Sequence, residues 1–329
     1  MGFVTQEVPL SGRTSVNVTL VDSDKSLNEV IVVGYGTQKK MSISGAISQI
    51  SGDELLKAPI ANMSNLLGGR LPGIVPLQQS GQPGADGSSI LVREGTATYI
   101  VDGVSRDFSE IDPNDIESIS VLKDAASAAV YGLNTQSAII VTTKRGKVAP
   151  SRITFNGGYG ITTNAQMLEL LDGPQYAYWY NKALQMDGNS PIFSSTHVQK
   201  MLAGEDGWGN TDWYKKTFGN GYNKTANVNA VGGTEKIKYY VSLGTFNQQG
   251  NVDNFDYDRL NLRSNLDATI AQNLELSFNI SGRVEKRDRP YYSAVPEDWN
   301  NVPQQAMRAL PFVPDTKDGL PVSTRTASS

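Results

Sequence analysis

The chain has 329 residues, with 29 Lys and Arg against 33 Asp and Glu, and a net charge of −4. With a pI near 5.2 it offers no basic stripe for a polyanion, so no nucleic-acid partner is expected. Cysteine is absent and His197 is the one histidine, which leaves no disulfide framework, no thiolate or multi-histidine metal site and little to build a catalytic triad from; neither enzyme activity nor a metal or other cofactor is expected.

Met1 opens on Gly2-Phe3-Val4-Thr5, with no cationic or apolar region of a signal peptide. Val4, Val8 and Leu10, then Val16, Val18 and Leu20, give short stretches of alternation, a small all-β segment over 1–24. A linker over 25–41 follows. In it Val30 to Val33 is β-branched and extended, suited to adding a strand to the sheet edge of a partner, although an ordinary buried strand explains it equally well. Gly34-Tyr35-Gly36 imitates a dinucleotide fingerprint, but the third glycine position is Lys39.

Residues 42–147 mix short helices and strands, which predicts a compact α+β domain. Ser51-Gly52-Asp53-Glu54 has the capping-box pattern of a short helix that Pro59 stops, and Asn62 to Leu67 makes another helical turn. Ile74 to Leu77 and Ile90 to Val92 read as strands around the Gly/Ser-rich stretch 80–89. Tyr99-Ile100-Val101 runs into the turn signal Asp102-Gly103, and Ile116 to Leu122 is a strand. Asp124 caps an Ala-rich helix that Gly132 ends, and Ala138 to Thr143 is the last strand. Acidic clusters at Asp107, Glu110, Asp112, Asp115 and Glu117, and at Asp253, Asp256 and Asp258, lack the spacing of a calcium loop and are expected to be solvated.

From Arg152 to Lys286 the pattern changes to long strands of strict alternation. Leu260, Leu262, Leu266, Ala268 and Ile270 form one face; Arg259, Asn261, Arg263, Asn265, Asp267 and Thr269 form the other. Leu274, Leu276, Phe278, Ile280 and Val284 repeat the apolar face, and shorter alternations occupy 153–162, 227–230 and 237–244. The connections switch between long (163–223, 247–257) and tight (232–235, 271–273). Length, period and loop asymmetry predict the wall of an outer-membrane β-barrel, with a soluble β-sandwich as the alternative. Mean hydropathy is −0.33 with no transmembrane helix, as expected where strands hide their apolar residues in alternate positions. Five candidate strands cannot close a wide barrel, so the segment 148–329 reads as an incomplete antiparallel transmembrane barrel and the chain as a piece of a longer protein. Trp179, Trp208, Trp213 and Trp299 fall in long connections near Tyr176, Tyr178, Tyr180 and Tyr214. Trp179, Trp208, Trp213 and Tyr214 are the candidates for substrate contact, although packing between loops explains any one of them.

Several stretches, in order, resemble SusC/RagA-type TonB-dependent transporters. They are Leu27 to Gln38, Tyr99 to Val104, Asp115 to Ala125 running on to Val130-Tyr131-Gly132, and Ile140 to Lys144. In the strand region they are Thr211 to Tyr214, Gly232 to Ile237 and Arg259 to Asn265. The chain departs from the pattern at Gln136-Ser137, where an Asn-Gly pair is usual, and in a shortened loop at 93–98. The resemblance implies a plug domain (42–147) inside the barrel, with Asp102, Gly103, Val121, Leu122, Lys123, Asp124, Tyr131 and Gly132 as plug-motif residues. It implies that Glu29, Val30, Ile31, Val32, Val33, Gly34 and Tyr35 form the segment that engages TonB, and that residues 1–24 end a carboxypeptidase-regulatory-like domain. It further implies an outer-membrane importer of oligosaccharides or other nutrients that works in the membrane lipid with a SusD-like surface lipoprotein. Import of oligopeptides, or a secreted or surface β-rich glycan-binding or adhesion module without transport, are the alternatives.

Overall fold

The computed structural model describes residues 30–33, 36–39, 47–56, 62–93, 95–109, 111–123, 137–205, 207–290, 302–317 and 320–321. The expected all-β segment 1–24, the expected Ala-rich helix from Asp124 to Gly132, Trp299, and Glu29, Gly34, Tyr35, Asp124, Tyr131 and Gly132 among the expected site residues lie outside them. Strands β1 (Val30–Val33) and β2 (Gly36–Lys39) pair antiparallel.

The α+β domain is built on a five-stranded mixed sheet of order β3-β9-β10-β7-β8. Its strands are β3 (Ile47–Ser51), β7 (Thr98–Val101), β8 (Val104–Ser105), β9 (Ile116–Leu122) and β10 (Ala138–Thr143). A second, three-stranded sheet joins β4 (Ile74–Gln78), β5 (Ser88–Val92) and β6 (Gly95–Thr96). Ile119, Val121, Ile139 and Val141 are fully buried against Leu55, Met63, Leu66 and Leu67 of the two short helices α1 (Gly52–Leu55) and α2 (Met63–Leu66). Burial of this kind contributes roughly 1.5–3 kcal/mol for each large aliphatic side chain, enough to hold helices too short to persist alone. One expectation is corrected: Ser51 makes no side-chain cap bond, because it is the last residue of β3, paired with Ser118. Asn62 does cap α2, its side chain accepting from Ser64 N at 3.1 Å.

A separate five-stranded sheet follows, an antiparallel meander of order β11-β12-β13-β14-β15. Its strands are β11 (Ala149–Thr162), β12 (Gly221–Gly233), β13 (Ile237–Gln249), β14 (Asp256–Ala271) and β15 (Leu274–Asp288). Its burial is the reverse of a water-soluble sheet. Leu243, Leu260, Leu262 and Phe278 are 51%, 46%, 47% and 54% exposed, while Ser242, Arg259, Arg263 and Asn265 are 4% exposed or less. On β12, β13 and β14 the polar face is covered by the α+β domain, and the apolar face is bare. A sandwich with a dry interior would bury the leucines. Between Leu260 and Ile270 the outward stripe of β14 runs about 34 Å along the strand. At a tilt of about 40° that covers about 26 Å of depth, matching the roughly 25 Å apolar band of a membrane barrel. Among the described residues no helix is long and apolar enough to cross a membrane.

The connection 163–220 differs from the expected long polar loop, because it contains helices at Gly173–Met186, Ser195–Ala203 and Trp213–Thr217. Asp172 with Gln175 and Ser194 with His197 form reciprocal capping boxes at the first two. The third packs against the helix Val302–Arg308 beyond β15.

Candidate functional site: the contact between plug and lumen wall

The polar face of the meander meets the α+β domain through a chain of buried polar contacts, centred on β14 and the 3-10 turn Pro113–Asp115. Asp102 and Gly103 occupy the two central positions of the β7–β8 hairpin, with φ of 50° and 86°. That left-handed pair gives the tight turn its twist, and it aims the Asp102 carboxylate back at β10. Thr143 N and Oγ1 donate to its two oxygens at 2.9 and 2.8 Å. From the wall, Arg263 Nη1 approaches Asp102 Oδ2 at 3.4 Å and Arg263 Nε approaches Asp115 Oδ2 at 3.6 Å. Asn265 Nδ2 donates to Thr143 Oγ1 at 3.1 Å and to Lys144 O at 2.7 Å.

One step along, Tyr240 OH donates to Asp115 Oδ1 at 2.9 Å and Ser242 Oγ donates to the same oxygen. Asn227 Nδ2 donates to Asp112 Oδ2 at 2.9 Å, and Asn156 Nδ2 to Asn114 Oδ1 at 2.8 Å. The acidic cluster expected to be solvated is therefore corrected in part: Asp112 and Asp115 are 8% and 2% exposed, sealed under the wall. Burial pushes the Asp115 carboxyl up to about 6, with the neighbouring Asp112 raising it further and the bonds from Ser242, Arg263 and Tyr240 opposing. Gly244 makes the approach possible, since a Cβ there would lie 1.9 Å from Asp112 Oδ2. At the rim, Arg145 Nη1 pairs with Asp267 Oδ1 at 2.8 Å.

A second contact lies at the other end of the wall, where the loop 79–87 between β4 and β5 reaches Tyr257 and Arg287. Among the described residues no group of three or more His, Cys, Asp or Glu is placed to hold a metal.

The expected plug-motif residues divide between core and contact. Val121 and Leu122 are fully buried in the sheet, and Lys123 Nζ donates to Ser48 Oγ at 2.6 Å. Asp102 and Gly103 form the contact itself. The aromatic candidates do not converge. Trp208 is stacked on His197 with ring centroids 4.9 Å apart and packs against Phe193 and Phe312, while Trp213 Nε1 donates to Leu310 O at 3.2 Å. Tyr214 packs on Phe218 at 4.7 Å. Trp179 is 57% exposed beside Tyr178. The partners Arg263, Asn265, Tyr240 and Ser242 were missed as site residues. Their sequence signal is that the polar face of each strand carries Arg, Asn and Tyr, which a water-facing sheet does not need to bury.

A globular domain bonded to the polar face of a long-stranded sheet whose other face is apolar and bare is the construction of a plugged outer-membrane β-barrel. Residues 39–139 match the family model described as TonB-dependent Receptor Plug Domain. TonB-dependent receptor P3 of Formosa agariphila is 32% identical over 297 residues, covering 88% of this chain and 28% of that protein. TonB-dependent receptor SusC of Bacteroides thetaiotaomicron is 30% identical over 303 residues, covering 86% and 28%. The RagAB peptide importer in its 'open-open' state superposes with a TM-score of 0.69 at 27% identity, covering 82% of this chain and 33% of that one. The chain thus spans less than a third of the length of the curated relatives it matches. It carries a TonB-dependent receptor plug followed by strands of the barrel wall, is of the SusC/RagA type, and belongs to the outer membrane.

Proposed function

We propose that this chain forms the plug and first wall strands of an energy-coupled importer that carries oligosaccharides or other nutrients across the outer membrane, with residues 42–147 gating the lumen formed from 148–329. The observation that carries the reading is the inverted burial of the meander: lipid-compatible leucines outside, and Arg263, Asn265, Tyr240 and Ser242 bonded to the plug inside. A secreted adhesion module would need water on the face that Leu243, Leu260, Leu262 and Phe278 occupy. Peptide cargo is the second reading, favoured by the likeness to the RagAB peptide importer.

In this reading residues 1–24 end a preceding carboxypeptidase-regulatory-like domain, and 25–41 are the periplasmic linker. Glu29 to Tyr35 engages TonB, and the β-strand at Val30–Val33 supplies an edge for a partner strand. A SusD-like lipoprotein covers the outer loops, where Trp179 is the exposed aromatic of the four candidates. The test is uptake of labelled glucan and peptide oligomers by cells producing the natural protein and a variant lacking Glu29 to Tyr35. The account expects surface binding to persist and uptake to stop. Undiminished uptake refutes the energy-coupled gate.

A further inference from the structure

Where the chain leaves the plug and enters β11, a cleft of about 780 Å³ lies beside the tight β12–β13 turn. Val148, Pro150, Ile237 and the ring of Tyr239 give it apolar walls, and Thr234 and Glu235 supply its polar lining. Strand register settles which face it opens on. Ile237 shares a cross-strand row with Ala268 and Leu276, and Tyr239 shares one with Leu266 and Phe278. The cleft therefore belongs to the bare apolar side of the wall. Gly232 makes room for it: a Cβ there would lie 3.0 Å from the Tyr239 hydroxyl oxygen, which passes over the glycine to bond Ser151 Oγ. A register shift between Ala149 and Arg152 bends the start of β11 out of the ladder, and Pro150 has no N–H to lose there. A strand added to the free edge of β11 would lie beside it in the sheet, not over this face. Short turns mark the periplasmic end of such a barrel, so the cleft opens near the headgroups of the periplasmic leaflet.

The turn itself is fixed. Thr234 N donates to Ile237 O at 2.7 Å, and Thr234 Oγ1 accepts from Lys236 N and Ile237 N at 3.3 and 3.2 Å. Lys236 O accepts from Thr269 N at 2.8 Å, which ties the turn to β14. Glu235 and Lys236 are both exposed on it, and neither has an ion-pair partner among the described residues. Lys147, by contrast, is already paired with Glu117 at 3.4 Å.

We propose that this cleft binds a phosphatidylethanolamine of the periplasmic leaflet, with an acyl chain against Val148, Pro150 and Ile237, the phosphate at Lys236 and the ammonium at Glu235. The site requires only that the apolar face of the wall meet lipid, and it is independent of the cargo. The pair of charges on the turn selects the headgroup. A lone lysine would take any anionic lipid, but Glu235 repels a second negative charge beside the phosphate. A zwitterion offers each of the two residues its opposite. The ethanolamine ammonium also brings three N–H donors to the Glu235 carboxylate, whereas a trimethylated choline brings none. The hydroxyls of Ser151 and Tyr239 satisfy one another, so hydrocarbon can lie against them without stranding a polar group.

The experiment uses the full-length protein in detergent and reads bound lipid by native mass spectrometry at stepped lipid concentrations. Three probes carry the same acyl chains: phosphatidylethanolamine, phosphatidylcholine and phosphatidylglycerol. The tightest binding event should belong to phosphatidylethanolamine, roughly tenfold tighter than phosphatidylcholine, as one charge-assisted hydrogen bond provides. Glu235→Gln should bring phosphatidylethanolamine down to the level of phosphatidylcholine and leave the latter unchanged. Lys236→Gln should weaken both severalfold, because both carry the phosphate. Ala149→Phe, which fills the cleft, should remove this binding event for all three lipids, with the heat-modifiable gel shift of a closed barrel as the check on folding. Equal binding of phosphatidylethanolamine and phosphatidylcholine overturns the proposal, as does a preference that survives Glu235→Gln. Tightest binding of phosphatidylglycerol overturns it in favour of a plain anionic-lipid site at Lys236. None of these outcomes bears on the importer reading, because no transport is measured.

Discussion

Replacing Arg263 by methionine keeps most of the side chain's length and removes its charge. In the structure that guanidinium is the cation shared by Asp102 at 3.4 Å and Asp115 at 3.6 Å, with all three side chains 8% exposed or less. Breaking a buried ion pair from one side costs about 3–5 kcal/mol, because the remaining charge is left without compensation. Asp102 keeps its two bonds from Thr143 and Asp115 keeps those from Tyr240 and Ser242, which places the expected cost near the lower figure. Three kcal/mol is about a 150-fold rise in the population of the unseated plug. The assay is native-state hydrogen exchange in lipid vesicles, read at amides of β7, β9 and β10, whose protection depends on the plug remaining seated. The penalty should also depend on pH. With Arg263 gone, nothing cationic opposes the burial of Asp115, so the variant recovers part of its loss at pH 5, where that carboxyl is protonated. Adding Asp115→Asn to Arg263→Met should return more than either change alone suggests. A loss below about 0.5 kcal/mol, the size of an ordinary surface substitution, and equal at pH 5 and pH 8, would refute the buried-charge reasoning.

Other expectations follow from the same geometry. Gly244→Ala puts a methyl carbon where Asp112 Oδ2 now lies, so the turn Pro113–Asp115 must retreat from β13; we expect about 1–3 kcal/mol of lost plug seating and faster exchange at Ile116, with β14–β15 unaffected. Because the seated carboxyl of Asp115 titrates near 6 and the released one near 3.8, seating weakens as pH rises from about 4 to about 6, by at most about 3 kcal/mol. Asp115→Asn should flatten that slope in urea titrations at stepped pH. Leu266→Arg, on the outward face of the wall, should cost about 2–4 kcal/mol in vesicles if that face meets the bilayer centre. On a water-washed sheet the same change is worth within about 0.5 kcal/mol, and urea midpoints measured from lipid separate the two.

The wall was legible because a strand facing lipid and lumen writes its environment into every second residue. Leu260, Leu262 and Leu266 against Arg259, Arg263 and Asn265 needed only the period of the strand to be assigned to opposite faces. Which face was buried was not legible from one strand, since alternation alone fits a sandwich as well; it took the exposed leucines to decide. Asp112 and Asp115 read as solvated charge because Pro113 and their acidic neighbours mark a turn. Their burial depends on Gly244, Tyr240 and Ser242, more than a hundred residues away. The helices within 163–220 were passed over for a different reason. Asp172 with Gln175 and Ser194 with His197 are start signals, but no clean apolar stripe follows them, as the exposed Tyr178, Trp179 and Leu202 attest. Conversely, Ser51 and Glu54 matched a start signal that β3 overrides by pairing Ser51 in the sheet.

The account depends most on which side of β14 faces lipid. These 329 residues hold no cysteine, so in the full-length barrel, with any cysteine elsewhere replaced, a single cysteine placed at each position from 260 to 266 carries a unique fluorescent label. In vesicles, quenching by a lipid-phase nitroxide should be strong at 260, 262 and 266 and weak at 261, 263 and 265, where the plug shields the strand. Quenching that ignores this period, or that is strongest at 263 and 265, would contradict a lipid-facing wall closed around a seated plug.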